Sequence, residues 1–215
     1  MAIIIKTEEQ IEGIRKSSQL AAETLKYLEQ FVQPGISTLE LDKLAEEFLH
    51  KHGAKAATKG YKGYKHSTCI SPNDVVCHGV PNDYVVKDGD IINIDVTAVL
   101  DGYFGDTCRM YEVGNVSPYA QKLVQVAKEC LHLGMAECKP GNHLGNIGFV
   151  INEHAVKHGY SVVFEFCGHG VGVRFHEDPQ VYHNAKKGSA PVLRPGMTFT
   201  IKPMINAGKA RCKID

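Results

Sequence analysis

Net charge is the first thing this chain lacks: across 215 residues, 24 lysines and arginines are matched by 24 aspartates and glutamates. A neutral balance gives no electrostatic pull toward nucleic acid or an anionic membrane, so no specific nucleic-acid partner is expected. Long hydrophobic runs are missing too. Between Met1 and Lys6 only Ile3, Ile4 and Ile5 form an unbroken aliphatic run, too short for a signal peptide or a membrane span. The seven cysteines (Cys69, Cys77, Cys108, Cys130, Cys138, Cys167 and Cys212) show no C-x-x-C spacing, and their number is odd. That argues against a disulfide framework or a structural zinc cluster, and reduced thiols in the cytoplasm are the simple expectation. Internal repeats and low-complexity segments are also absent.

What is present reads as alternating blocks of helix and strand. Thr7 with Gln10, and Ser37 with Glu40, form two capping-box patterns. The first opens a helix with an apolar face at Ile11, Ile14, Ala21, Leu25 and Leu28, and the second one with Leu41, Leu44, Ala45 and Phe48. The stretch from Ala54 to Val86, rich in Gly, Pro, Asn and Tyr, predicts short strands joined by loops. A strand is expected over Ile91–Val99, a two-residue turn at Asp101-Gly102, and a return strand over Tyr103–Tyr111. Ser117-Pro118 starts a third helix reaching to about Cys138. A fourth covers Leu144–His158. Ser161–Phe166, a glycine-rich stretch and a strand over Met197–Ile201 complete the chain. This order suggests an α+β fold with a mixed or antiparallel sheet, not a βαβ-wound one.

Two aspartates on the hairpin are candidate metal ligands. In Ile91–Val99 the even positions are apolar, and Asn93, Asp95 and Thr97 alternate with them. With Asp101-Gly102 as the turn, Thr97 opposes Asp106 and Asp95 opposes Cys108. Asp95 and Asp106 then lie diagonally on one face, roughly 7–8 Å apart at the backbone. A plain solvated face accounts for such a pair about equally well. Against it, aspartate is disfavoured in mid-strand, and two close carboxylates repel unless a cation lies between them. Among the histidines, His169 is bracketed by glycines, His176 follows in Phe175-His176-Glu177-Asp178-Pro179, and His78 sits in Cys77-His78-Gly79. The others, such as His50, His52 and His158, read as structural or surface residues. Asp, Asp and His together suit Mn, Fe, Co or Zn.

Five segments in this order give the chain a resemblance to type I methionine aminopeptidases: Ser71 to Pro81, Gly89 to Val96, Asp101 to Thr107, Gly168 to Gly172, and Pro203 to Asn206. The match runs from Ile3 to about Lys213, so residues 1–215 are read as a single aminopeptidase-like domain. The resemblance implies the pita-bread fold, in which two pseudo-symmetric halves surround a central mixed antiparallel sheet. It also implies a cytoplasmic metallo-aminopeptidase that removes the initiator methionine from nascent polypeptides when the second residue is small, with ribosome association a further implied partner. By that likeness Asp95, Asp106 and His169 match ligands of a pair of divalent metals. His78 and His176 match residues that hold the substrate and the tetrahedral intermediate. Tyr61, Tyr64, Cys69 and Phe175 match the lining of the methionine pocket.

The chain departs from that family at two places. Lys202 stands where the family has a ligand glutamate. Strand alternation places it on the face of Thr198 and Thr200, although a lysine can also bend out to solvent. The family also continues past the region of Asp215 into strands that carry a bridging glutamate, so the fold is expected to be C-terminally truncated and to hold at most one ion tightly. Three readings follow: a working aminopeptidase, a catalytically impaired homologue that binds peptides or the ribosome, and a creatinase- or prolidase-like enzyme. The Cys77-His78-Gly79 context favours the methionine family over the last.

Overall fold

The Asp101-Gly102 turn organises the larger sheet. Both residues take positive φ, 52° and 81°, the pairing a type I′ turn requires and glycine adopts without strain. The computed structural model describes residues 2–213, and the turn joins strands β3 (Ile91–Leu100) and β4 (Tyr103–Glu112). Their register runs unbroken from Leu100↔Tyr103 to Ile91↔Glu112. The other side of β3 pairs antiparallel with β1 (Lys55–Ala56) and β2 (Thr68–Pro72), giving four strands.

The chain forms two units: Glu8–Pro118 with Gly172–Phe175, and Met1–Thr7 with Tyr119–Val171 and His176–Asp215. In the first, the sheet packs on helices α1 (Glu8–Leu28) and α2 (Thr38–Lys51). Ile92, Ile94, Val96 and Ala98, the apolar alternates of β3, are completely buried in a core shared with Leu28, Leu41, Ala45 and Leu49. Burying a side chain of this size contributes about 1.5–3 kcal/mol. Close approach of α1 to β4 depends on Gly105, where a Cβ would lie 2.2 Å from the Ser18 nitrogen. The Tyr111 hydroxyl donates to the Leu25 carbonyl at 2.6 Å. The Ser37–Glu40 capping box forms as expected, each residue's side chain accepting from the other's backbone N–H.

In the second unit α3 (Pro118–Ala136) and α4 (Leu144–Lys157) enclose a core of Val126, Cys130, Ile147, Ile151 and Ala155. Two-stranded pairs complete it: β5 (Ser161–Val162) with β8 (Ile205–Asn206), and β6 (Gly168–Gly170) with β7 (Glu177–Val181). The N-terminal segment belongs here. The Lys6 N–H donates to the Gly196 carbonyl at 2.9 Å, and its ammonium forms a buried ion pair with Glu177.

Two expected elements are shorter or absent. The third helix stops at Ala136, and after α4 the stretch left unassigned forms a short strand at Ser161–Val162. Met197–Ile201 makes an isolated bridge, Phe199 to Gly170, instead of a strand. Its bridge partner lies in β6, which is only three residues long, so no long ladder can propagate. No helix among the described residues is long and apolar enough to cross a membrane. Asp215 lies outside the described residues.

Candidate functional site

In the hairpin unit, a row of potential ligands crosses three strands. Cys69 on β2 stands opposite Asp95 on β3, and Asp95 opposite Cys108 on β4. Asp106 stands opposite Thr97, so Asp95 and Asp106 are the diagonal pair that the turn predicts. Side chains of directly paired residues share a face, and this one is opposite the fully buried aliphatic face. Both aspartates and both cysteines are half-buried.

Asp42 of α2 places the start of β2. Its Oδ1 accepts from the N–H groups of Ser67 and Thr68, at 3.0 and 2.8 Å, and from the Thr68 hydroxyl at 2.7 Å. Beside this anchor the Tyr64 hydroxyl donates to the Thr68 carbonyl at 2.9 Å. Burial, then the neighbouring Cys69, push its pKa well above the usual tyrosine value, so Tyr64 remains a neutral donor. The segment with His78 lies against β2: the Ile70 N–H donates to the Gly79 carbonyl at 2.9 Å, and the Gly79 N–H to Ser71 Oγ at 3.0 Å. A Cβ on Gly79 would come within 2.2 Å of the Ile70 carbonyl oxygen. His78 takes φ 55°, a left-handed conformation that costs a non-glycine residue of order 1 kcal/mol and recurs at functional sites. It is exposed.

The aromatic candidates of this unit touch one another. Phe175 meets the Tyr61 ring edge-on at 4.8 Å between centroids and stacks on Phe104 at 6.1 Å. The Phe104 N–H donates to the Gly172 carbonyl at 2.8 Å, which ties the Gly172–Phe175 segment to the hairpin. Phe104 was not singled out from the sequence. Its signal was its place two residues before Asp106 on a strand already read as functional.

In the other unit, glycines let the backbone close around His169. A Cβ at Gly168 would meet the Thr200 carbonyl oxygen at 2.2 Å, and one at Gly170 the Asp178 carbonyl oxygen at 2.3 Å. The His169 N–H donates to Thr200 Oγ1 at 3.1 Å, and its carbonyl accepts from the Thr200 N–H at 2.8 Å. His169 Nδ1 lies 2.9 Å from the Gly170 carbonyl. A carbonyl only accepts, so Nδ1 carries a proton. Metal-binding histidines use this arrangement, with the non-ligating N–H given to a carbonyl or carboxylate. His176 stands beside it, ring centroids 4.3 Å apart.

The Lys202 N–H donates to Nε2 of His183 at 3.2 Å. His183 is buried, and its Nδ1 has no hydrogen-bond partner among the described residues. Desolvation lowers its pKa to about 4. Sequence reasoning passed over His183, since nothing local marks it as buried.

In the hairpin unit, paired carboxylates on one sheet face are donors of a kind that suits a divalent cation, and in the other unit so is an imidazole with its Nδ1 proton engaged. Helices packed on antiparallel strands give the chain an α+β architecture. The model of metallopeptidase family M24 matches residues 12–214, and the chain belongs to that family, among the type I methionine aminopeptidases. It is 49% identical over 211 residues to the methionine aminopeptidase of Escherichia coli K12, covering 97% of this chain and 80% of that protein. It is 50% identical over 207 residues to methionine aminopeptidase A of Synechocystis, covering 96% and 82%. The crystal structure of methionine aminopeptidase from Rickettsia prowazekii superposes with a TM-score of 0.95 at 44% identity, covering 97% and 84%. The prolidase from Pyrococcus furiosus shares the fold at TM-score 0.82 and 26% identity, covering 93% of this chain and 57% of that one. The pita-bread expectation stands on these likenesses, and they favour the methionine branch over the prolidase one.

Proposed function

We propose that this chain hydrolyses the first peptide bond of nascent polypeptides that begin with methionine followed by a small residue, acting in the cytoplasm with residues 1–215 as one functional domain. Supporting it most directly is the diagonal placement of Asp95 and Asp106 on the polar face of one hairpin, in a chain half identical to methionine aminopeptidases.

Asp95, Asp106 and His169 are the residues that would hold a divalent ion, Mn, Fe, Co or Zn. Such an ion supplies Lewis acidity, polarising the scissile carbonyl and acidifying water. The chain's own groups do the rest. Tyr61 and Phe175 offer ring edges and faces, which suit a thioether side chain because sulfur packs favourably against aromatic rings. Tyr64, kept neutral, holds the β2 edge beside Cys69 and so shapes the same pocket. His78 and His176 are exposed imidazoles able to donate to the substrate carbonyl and to the oxyanion that develops on it. Hydrolysis needs a proton for the departing amine, and a protonated imidazole is a general acid able to supply one.

A cleavage assay tests this. Purified chain is incubated with Met-Ala-Ser and with Met-Leu-Ser, each with Mn, Fe, Co or Zn and with chelator. Free methionine released from the first peptide only, and only with an ion present, is the expected result. No release with any of the four ions would defeat the proposal.

A further inference from the structure

A second group of ligating side chains lies between α3 and α4. His154 and His158 are one helical turn apart on α4, so their side chains leave the same face. Glu129 of α3 stands across from them: its Oε2 is 2.7 Å from His154 Nε2. The two imidazole centroids are 4.6 Å apart at an interplanar angle of 57°. One ligand atom from each of the three residues lies within 4.8 Å of the others, and all three are half-buried. The Glu129–His154 hydrogen bond accounts for two of these side chains and leaves the position of His158 unexplained.

We propose that Glu129, His154 and His158 bind a borderline divalent cation, zinc foremost, as a clip between the two helices. Two imidazoles and a carboxylate are a common zinc donor set, with water in the fourth position. Tetrahedral bonds of about 2.0–2.2 Å place ligand atoms roughly 3.3 Å apart. From separations within 4.8 Å, the site closes by a shift of up to about 1.5 Å in the His158 ring and a small widening of the contact between Glu129 and His154.

Two further features suit a cation. Gln125 Nε2 donates to the other Glu129 oxygen at 2.8 Å, which orients the carboxylate as supporting residues do around metal ligands. That bond, followed by the one to His154, holds the Glu129 pKa below the usual carboxylate value, so the anionic ligand is present at neutral pH. His158 is the C-cap of α4, where the negative end of the helix dipole favours positive charge. Lys122 and Lys157 oppose it: after desolvation, Lys122 is the leading charge that lowers the His158 pKa. The same effect leaves His158 as the neutral imidazole that a metal requires.

These three residues are not among those proposed to hold the family's ion, so the test reads them directly. Zinc is titrated into the full chain while the imidazole Cε1–H resonances of His154 and His158 are followed by NMR, assigned with His154→Gln and His158→Gln. Both resonances should shift together and saturate at one added equivalent beyond any ion already held. In His158→Gln the zinc affinity read at His154 should fall at least about tenfold, while Met-Ala-Ser cleavage in Mn stays as in the parent chain. Zinc should also raise the unfolding midpoint of the parent more than that of His158→Gln, since binding to the native state stabilises it. Resonances of His154 and His158 unmoved by ten equivalents of zinc, or unchanged affinity in His158→Gln, would overturn the site. Failure of peptide cleavage would not bear on it, because the resonances report occupancy alone.

Discussion

Asp95 and Asp106 are diagonal neighbours on one hairpin face, Asp95 opposite Cys108 and Asp106 opposite Thr97. Their separation is set by a single two-residue turn, and the face they share is opposite the aliphatic core. Replacing either by asparagine keeps size and hydrogen-bonding capacity and removes charge. Asp95→Asn and Asp106→Asn should each retain the fold, with an unfolding midpoint in chelator no lower than the parent's, because like-charge repulsion is relieved. Metal affinity and Met-Ala-Ser cleavage should each fall by more than the ~10–100-fold typical of changes to residues that merely support metal ligands. Equilibrium dialysis with elemental analysis checks the first, and a parent-like metal content in both variants would refute the assignment.

Lys202 tests the charge balance of the proposed metal site. The family carries a glutamate at this position, and Lys202→Glu replaces a cation by a potential ligand. Divalent-ion affinity should rise by at least about tenfold, or about 1.4 kcal/mol, about a third of the roughly 4 kcal/mol that one unit charge contributes to another at 4 Å under an effective dielectric constant of 20. Calorimetric titration with Mn compares the two proteins. Equal affinities would mean that the residue 202 side chain does not act on the ion.

Gly79 controls the placement of His78. An added methyl group meets the Ile70 carbonyl oxygen at 2.2 Å, and both partners are backbone, so the segment has to move. Gly79→Ala should destabilise the chain by about 1–3 kcal/mol. It should lower kcat more than it raises KM, since the displaced imidazole is the one proposed to act on the developing oxyanion. Gly208→Ala, where nothing lies within 4 Å of the new methyl, is the control and should behave as the parent.

His183 ties stability to pH. Its folded pKa, about 4, lies below the unfolded value of about 6.5. Between those two values the unfolded chain binds the extra proton. Stability from this group is therefore complete above pH 6.5 and is lost as pH falls toward 4, by an amount on the order of 3 kcal/mol. Urea midpoints measured from pH 7 to pH 4.5 should decline, and His183→Gln should flatten the decline. The glutamine carbonyl can still accept from the Lys202 N–H, so the flattening isolates protonation from loss of that bond.

The sequence alone determined the parts of the site that depend on local rules. Asp101-Gly102 specifies a type I′ turn, the turn sets the strand register, and the period-2 alternation of Ile91–Val99 sets which face is polar. Asp95 and Asp106 therefore had a readable geometry before any tertiary contact was known. Ser37 with Glu40 was legible for the same reason, since a capping box closes within four residues. Only the tertiary structure decided the rest. β6 is glycine-rich, β6 and β7 are both short, and their pairing is selected by backbone approach at Gly168 and Gly170 rather than by propensity. Met197–Ile201 has the pattern of a strand, but its three-residue partner cannot extend a ladder. The burial of His183, the Lys6–Glu177 ion pair across 171 positions of sequence, and the meeting of Glu129 with His154 and His158 all depend on how distant segments pack. Long-range contacts of this kind follow from the filling of a common core, and no local periodicity encodes them.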